Sequence, residues 1–242
     1  MASPAKLALA NFLSSRPVGI AVGLVTRHRI RNQGISFDTT GWDPRIEAML
    51  AFRLYETAEI RFIRSFLSGT KRAIEVGGGL GITGSHLLQV MVRSGELTSV
   101  EANSDLIAPL RRTLIAHAGR RSVTVIHAAV TGTPSAFLEK ASDSNLSSRL
   151  ASVGVAVPAM SLPAIASRAG YADYALFSDV EGAEASYIFT PDGLARCTRM
   201  VIELHETIHQ GASVSRDEMV VELKHQGFRL LGRYGAVCAF AR

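Results

Sequence analysis

Residues Ile74-Glu75-Val76-Gly77-Gly78-Gly79-Leu80-Gly81 constrain this chain more than any other stretch. A β-branched run ends in a carboxylate and passes into closely spaced glycines, so the segment reads as a buried strand turning sharply into a helix. Missing side chains let backbone approach a ligand, and the helix N-terminus offers free N–H groups, a combination that suits a nucleotide-like cofactor. Glu75 argues against a phosphate here, because two negative groups repel. It suits a ligand with a cationic or hydroxylated end, such as the amino-acid moiety of S-adenosylmethionine. Two alternatives stay open: a purely structural glycine turn, and a dinucleotide site, since Gly79-Leu80-Gly81-Ile82-Thr83-Gly84 also spells G-x-G-x-x-G. In that fingerprint the first glycine belongs directly at the strand end, whereas here Gly77 and Gly78 come first.

The chain has 242 residues, enough for one α/β domain with some N-terminal decoration. A hydrophobic content of 47% and a mean hydropathy of +0.19 supply a packed core and exclude disorder. The only cysteines are Cys197 and Cys238, both in apolar surroundings. They read as small buried hydrophobes in a reducing, cytoplasmic compartment, not as a disulfide framework or zinc site.

Charge is unevenly distributed behind the pI of 9.6. Residues 1–72 hold eleven Lys/Arg against five Asp/Glu, whereas residues 73–242 hold fifteen against sixteen. Arg27, His28, Arg29 and Arg31 are the densest point. They form either a surface for an anionic partner (membrane, nucleic acid or acidic glycan) or a solvated arginine-bearing face. No aromatic interleaving or recognition motif supports nucleic acid, so none is expected as a partner. Met1–Val25 is apolar but interrupted by Arg16-Pro17, leaving uncharged runs of about half the ~20 residues of a spanning helix. The interruption falls where a secretory signal needs its apolar core. The segment is expected to form one or two short helices or to rest on a membrane surface. The expected division is an N-terminal basic extension with helices at 1–54 and a main domain at 55–242.

Beyond residue 72, strand-like and helix-like segments alternate. Strands are expected at Ala73–Val76, Leu97–Glu101, Val123–His127, Tyr174–Ser178 and Met200–Leu204. Helices are expected over Thr83–Val92, after Ser104 with Leu106, Ile107, Leu110 and Leu114 on one face, over Ser161–Ala169, and from Ser215 to Gly227. Residues 131–157, rich in Ser, Gly and Ala, read as a loop-prone excursion with room for a short helix. Phe228–Arg233 and Ala236–Phe240 read as a closing hairpin. The pattern predicts a mainly parallel sheet covered on both faces, with one antiparallel strand added by the hairpin. Ligands of such sheets sit beyond the carboxyl ends of the strands. Those ends carry Glu75, Glu101-Ala102-Asn103, His127-Ala128-Ala129, Asp179-Val180-Glu181-Gly182 and Glu203-Leu204-His205-Glu206. Four of the five end in a carboxylate.

Taken in order, Glu75–Gly81, Val100-Glu101-Ala102-Asn103, Ala128-Ala129-Val130, Asp179-Val180-Glu181-Gly182-Ala183-Glu184 and Ile202-Glu203-Leu204-His205 resemble the FkbM-type methyltransferases. The resemblance spans roughly residues 55–206, and the D-V-E-G-A-E motif is its most specific part. It implies a Rossmann-like class I methyltransferase fold with a seven-stranded sheet, and S-adenosylmethionine-dependent O-methylation of a saccharide, glycan or other natural product. Glu75, Gly77, Gly79 and Gly81 would then cradle the methionine end of the cofactor. Glu101, twenty residues past Gly81, would accept hydrogen bonds from the ribose hydroxyls. Ala102 and Asn103 would flank the adenosine, and Ala128 and Ala129 would leave space for adenine. Tyr55-Glu56 resembles a helix that closes over the cofactor; an ordinary amphipathic helix is the alternative. The chain departs from the family at Phe177 (usually lysine), at Ser178 (usually aliphatic) and in its Glu75-Val76-Gly77-Gly78 opening. These departures bear on the acceptor side.

Transfer to an alcohol calls for a general base, and the candidates are Asp179, His205 and Glu181, with Asp179 and His205 first. Glu184 is read as favouring a helix N-terminus. Asp179, Glu181 and His205 are hard-metal ligand types, but no dedicated ligand spacing occurs, so no metal is expected. Two readings compete with methyl transfer. An NAD(P)-dependent oxidoreductase lacks a Tyr-x-x-x-Lys pair or a hydride-site histidine motif; the other is a non-catalytic Rossmann-like module. Expected partners are a small-molecule or saccharide acceptor and, through the basic N-terminus, a membrane surface.

Overall fold

The structure is a computed structural model that describes residues 4–132, 136–140, 148–151 and 154–242. Its contacts separate two units, Met1–Thr57 and Ala58–Arg242.

The first unit opens with α1 (Pro4–Leu13) and α2 (Arg16–Thr26), so the Arg16-Pro17 interruption is a helix start, with Ser15 as N-cap and proline in the first turn. An antiparallel hairpin follows, β1 (Arg29–Asn32) and β2 (Ile35–Asp38), then α3 (Pro44–Ala51). Gln33 and Gly34, both at positive φ, make the two-residue connection that suits the twist of paired strands. Asp43 caps α3 by accepting the Arg45 N–H at 2.8 Å. A Cβ on Gly19 would run into the Pro44 carbonyl, so glycine is what lets α2 lie directly on the start of α3.

The second unit runs in order α4 (Thr57–Phe66), β3 (Arg72–Val76), α5 (Ile82–Val90), β4 (Glu96–Glu101), α6 (Ser104–Ala118), β5 (Ser122–His127), β6 (Ala129–Val130), β7 (Ala136–Lys140), β8 (Ser148–Ala151), β9 (Val155–Val157), β10 (Ala159–Met160), α7 (Leu162–Arg168), β11 (Tyr174–Ser178), α8 (Ala185–Ile188), β12 (Cys197–Glu203), β13 (Thr207–His209), β14 (Ala212–Val214), α9 (Arg216–His225), β15 (Arg229–Tyr234) and β16 (Val237–Ala241). The main sheet has seven strands in the order β15-β16-β12-β11-β3-β4-β5. Five are parallel; β16 pairs antiparallel with both β12 and β15. This is the Rossmann-like class I arrangement: the chain starts centrally at β3, moves out to β5, and returns to the other side of β3 as β11.

Alternation along the central strands divides the core between the two faces of the sheet. Ala73, Ala175, Phe177 and Val201 pack with Phe62, Ile63, Leu87, Leu88, Leu110 and Leu114 from α4, α5 and α6. Ile74, Leu176, Met200 and Ile202 pack with Leu162, Ile165, Ile188, Met219 and Leu223 from α7, α8 and α9. Cys197 and Cys238 are free and buried. Burial raises their thiols to about 12 and about 11, so they remain protonated core residues.

Several expectations need correction. Residues 136–140, 148–151 and 155–157 form a small antiparallel sheet in the order β8-β7-β9 where a loop with a short helix was expected; the rest of that stretch, 133–135, 141–147 and 152–153, lies outside the described residues. Residues Thr207–Val214 form an unforeseen hairpin, β13–β14. Asn103, not Ser104, caps α6: its backbone is still extended, so its Oδ1 accepts the Asp105 N–H at 3.1 Å, while Ser104 is already helical. Tyr55 and Glu56 are not helical: they lie in the link between α3 and α4, where Glu56 adopts a φ of 41°.

Candidate active site

The parallel order makes the carboxyl ends of β3, β4, β11 and β12 neighbours. The glycine turn leaves β3 with Gly77, Gly79 and Gly81 all at positive φ, a conformation side-chain-bearing residues avoid. The glycines differ in what surrounds them. A Cβ on Gly77 would strike the Asp179 carbonyl, so this glycine lets the turn press against the end of β11. One on Gly81 would crowd Leu110 and Thr113 of α6. One on Gly79 would meet nothing within 4 Å, so its α-carbon borders open space.

Two buried carboxylates brace this turn. Glu75 is wholly buried and accepts from Ser99 Oγ at 2.5 Å and from Thr83 Oγ1 at 3.0 Å. Burial raises its pKa to about 7, against the pull of those two hydroxyls. Both its oxygens are engaged inside the protein, so Glu75 ties β3, β4 and α5 together. Glu101 accepts the Gly79 N–H at 2.9 Å on one oxygen and the Asn103 N–H at 2.7 Å on the other. Burial raises its pKa too, opposed by the Asn103, Gly79 and Ala102 amides. With about four lone-pair sites on its two oxygens, Glu101 keeps acceptor capacity beyond these amides. Asn103 is fully buried at the head of α6, and the Ala102 carbonyl lies 3.1 Å from His127 Nε2. Ala128 and Ala129 are buried, their amides bonded to the Glu101 and Pro158 carbonyls.

At the ends of β11 and β12 the acids gather around one imidazole. His205 Nδ1 is 2.7 Å from Oε1 of Glu184, a carboxylate with no exposure. Its Nε2 is 3.8 Å from Glu181 and 3.9 Å from Glu203. Asp179, Glu203 and His205 each offer one donor atom, all within 4.8 Å of one another. In the sequence Glu203 stood only among the strand-end acids and Glu184 only as a helix-terminus acid; neither was expected beside His205. The available signal was Glu203-x-His205, which in extended chain puts both side chains on one side.

Electrostatics follow from that crowding. Asp179 is pushed up to about 7, chiefly by burial and then by the Glu203 charge, with Glu181 and Glu184 adding and His205 opposing. For His205, burial favours the neutral ring, but the Glu184 hydrogen bond and charge, with Asp179 and Glu203, outweigh it and lift the pKa to about 9. Glu59 on α4 is also raised, by burial and then by Glu203. The cluster therefore carries surplus negative charge around an imidazolium. Two carboxylates and an imidazole can also hold a divalent cation.

Phe177 is buried in the core, so no amine stands where the family usually has lysine. Ser178 spends its hydroxyl on Tyr187 Oη at 2.6 Å, inside the core. Tyr55 and Glu56 belong to the first unit. A cavity of about 370 Å³ lined by Phe189, Asp192, Leu194, Glu222 and Arg242 lies at the amino end of β12, opposite the end that bears Glu203.

Among solved structures, the chain is similar to precorrin-6y C5,15-methyltransferase from Geobacter metallireducens, with 12% identity over 80% of this chain and 88% of that one and a TM-score of 0.43. It is also similar to a methyltransferase from Geobacter sulfurreducens, with 15% identity over 94% and 90% and a TM-score of 0.41. Likeness this distant leaves the fold to be argued from strand order. No curated protein matches the chain. The model of the methyltransferase FkbM domain matches residues 81–230, more than half of the chain. The protein belongs to that family and is an S-adenosylmethionine-dependent methyltransferase.

Proposed function

We propose that the chain methylates a hydroxyl oxygen of a saccharide, glycan or other natural product, and that Asp179 takes up the hydroxyl proton. The carrying observation is the cluster at the ends of β11 and β12, in which Asp179 sits beside a His205 held by the buried Glu184. When bound, S-adenosylmethionine supplies a sulfonium methyl group; its transfer to an alcohol forms a C–O bond, leaves sulfur the electron pair and frees the hydroxyl proton.

The residues present fit that cofactor. Glu101 keeps acceptor capacity for a pair of ribose hydroxyls, the role its place at the end of β4 suggests. The open space at Gly79 leaves room for the chain that joins ribose to sulfur. Surplus carboxylate charge on β11 and β12 favours a cation nearby. Glu75 and Gly77 act one step back: Glu75 stiffens the turn, and Gly77 sets its distance from Asp179.

A carboxylate of ordinary acidity is a weak base toward an alcohol. Raised to about 7, Asp179 is a stronger one, half ionised at neutrality and fully so above it. His205 carries its proton at that pH and stabilises the ionised Asp179, while Glu184 fixes the ring through Nδ1. Glu181, exposed to solvent, is the weaker base candidate. Alignment of acceptor and methyl group supplies much of the remaining acceleration.

The test is a screen of saccharides and small alcohols with methyl-labelled S-adenosylmethionine, with product identified by mass spectrometry and NMR. Label in an O-methyl group supports the reading; label on nitrogen or carbon in every product rejects hydroxyl transfer.

A further inference from the structure

α2 is built inside out. Its small residues, Gly19 and Gly23, are buried; a Cβ on the first would strike Pro44, and one on the second the Glu47 carboxylate and the His28 ring. Its large apolar residues point the other way. Ile20, Leu24 and Val25 recur at helical spacing and are exposed, Leu24 at 72% and Val25 at 85%. α1 repeats the pattern with exposed Leu9 and Phe12, one turn apart. A chain that uses glycine for inward packing and sends five large apolar side chains outward leaves a face that water does not favour.

Charge points to what covers it. Residues 1–37 contain Lys6, Arg16, Arg27, Arg29 and Arg31 and no carboxylate; Asp38 is the first. Arg16 and Arg27, at the two ends of α2, are exposed. β1 alternates so that Arg29 and Arg31 face out while Ile30 and Asn32 face in. An apolar helix face with arginines at its margins matches the interface of an anionic bilayer, where side chains enter the acyl boundary and guanidinium groups meet phosphates. No helix among the described residues is long and apolar enough to cross a membrane. We propose that the apolar face of α1 and α2, with Arg16, Arg27, Arg29 and Arg31, docks on the surface of an anionic lipid bilayer. The methyltransferase unit, joined to it at residues 57–58, is thereby brought to that surface. This assignment is independent of the acceptor proposed above.

The test is co-sedimentation of the full chain with vesicles of phosphatidylcholine alone or mixed with phosphatidylglycerol, at low and high salt. The parent is expected to pellet with the anionic vesicles, to be released by salt, and to pellet much less with phosphatidylcholine. Leu24→Ser with Val25→Ser should weaken partitioning by about tenfold or more, since both side chains lose burial in the acyl boundary. Arg27→Glu with Arg29→Glu should do so through charge, most clearly at low salt. Thermal melts and cofactor titration of each variant show that the second unit remains folded and competent. Parental protein that stays in solution with anionic vesicles overturns the proposal. So does parental binding by both variants. A dimer that dissociates in the Leu24/Val25 variant, without vesicle binding by the parent, also overturns it and assigns the face to a second copy of the chain.

Discussion

Replacing Asp179 by Asn and His205 by Gln, one at a time, separates the base from the group that tunes it. Loss of a general base typically lowers the rate by 10²–10⁴-fold, about 2.7–5.5 kcal/mol at ~1.36 kcal/mol per tenfold. Asp179→Asn should show that loss at every pH, together with loss of the limb that rises through about 7 in the parent. His205→Gln should behave differently. The imidazolium lowers the Asp179 pKa, and their nearest donor atoms lie within 4.8 Å. A unit charge at that range, with an effective dielectric of ~20, is worth about 3.5 kcal/mol, and partial exposure and salt reduce it several-fold. Removing it should move the limb to higher pH by about one unit, with much of the rate recovered on the alkaline side. The assay is methyl transfer across pH 6–9, read as kcat/KM because that quantity reports groups on the free enzyme, beside a thermal melt of each variant. Parental turnover in Asp179→Asn refutes the assignment. A limb in His205→Gln that moves toward acid, or stays in place, refutes the coupling.

Other outcomes test the rest of the site. Gly79→Val should fold, at a cost of about 1–3 kcal/mol for a branched residue at positive φ, yet lose S-adenosylmethionine binding in calorimetry, because its side chain enters the open space. Glu75 is raised from 4.5 to about 7 in the folded state, so the stability it contributes is full below about 4.5 and is lost as pH rises through about 7; Glu75→Gln should flatten that part of a melting-temperature profile. With Asp179 as base, a chelator should leave turnover unchanged; loss restored by magnesium would recast Asp179, Glu203 and His205 as ligands.

The parallel sheet was legible because its strands are short apolar or β-branched runs that mostly end in a carboxylate; Tyr174–Ser178 is observed with the expected bounds. The helix opening at Ser215 was equally visible, though its capping box with Glu218 emerges only in the structure; the Arg16-Pro17 interruption marked one or two short helices, and two are observed. The sheet β8-β7-β9 was not, since its strands (AFLEK, SRLA and VAV) are three to five residues long and lack the alternation that marks a half-buried sheet. The site was legible as far as its strand ends. What lay hidden is three-dimensional: Glu184 and His205 are 21 residues apart, and only the packing of α8 beside the end of β12 joins them. The glycines looked equivalent in the sequence, but only Gly79 borders open space, because Gly77 and Gly81 are enclosed by β11 and α6.

The central claim is that S-adenosylmethionine binds where the glycine turn meets Glu101. Calorimetric titration of the parent and of Glu101→Ala tests it most directly. Two charge-assisted hydrogen bonds to ribose would be lost, each worth roughly 1.5–3 kcal/mol, and the Gly79 N–H would lose its acceptor. The expected result is a Kd at least about tenfold weaker, with the cooperative melt retained. Unchanged affinity in a folded variant would contradict it.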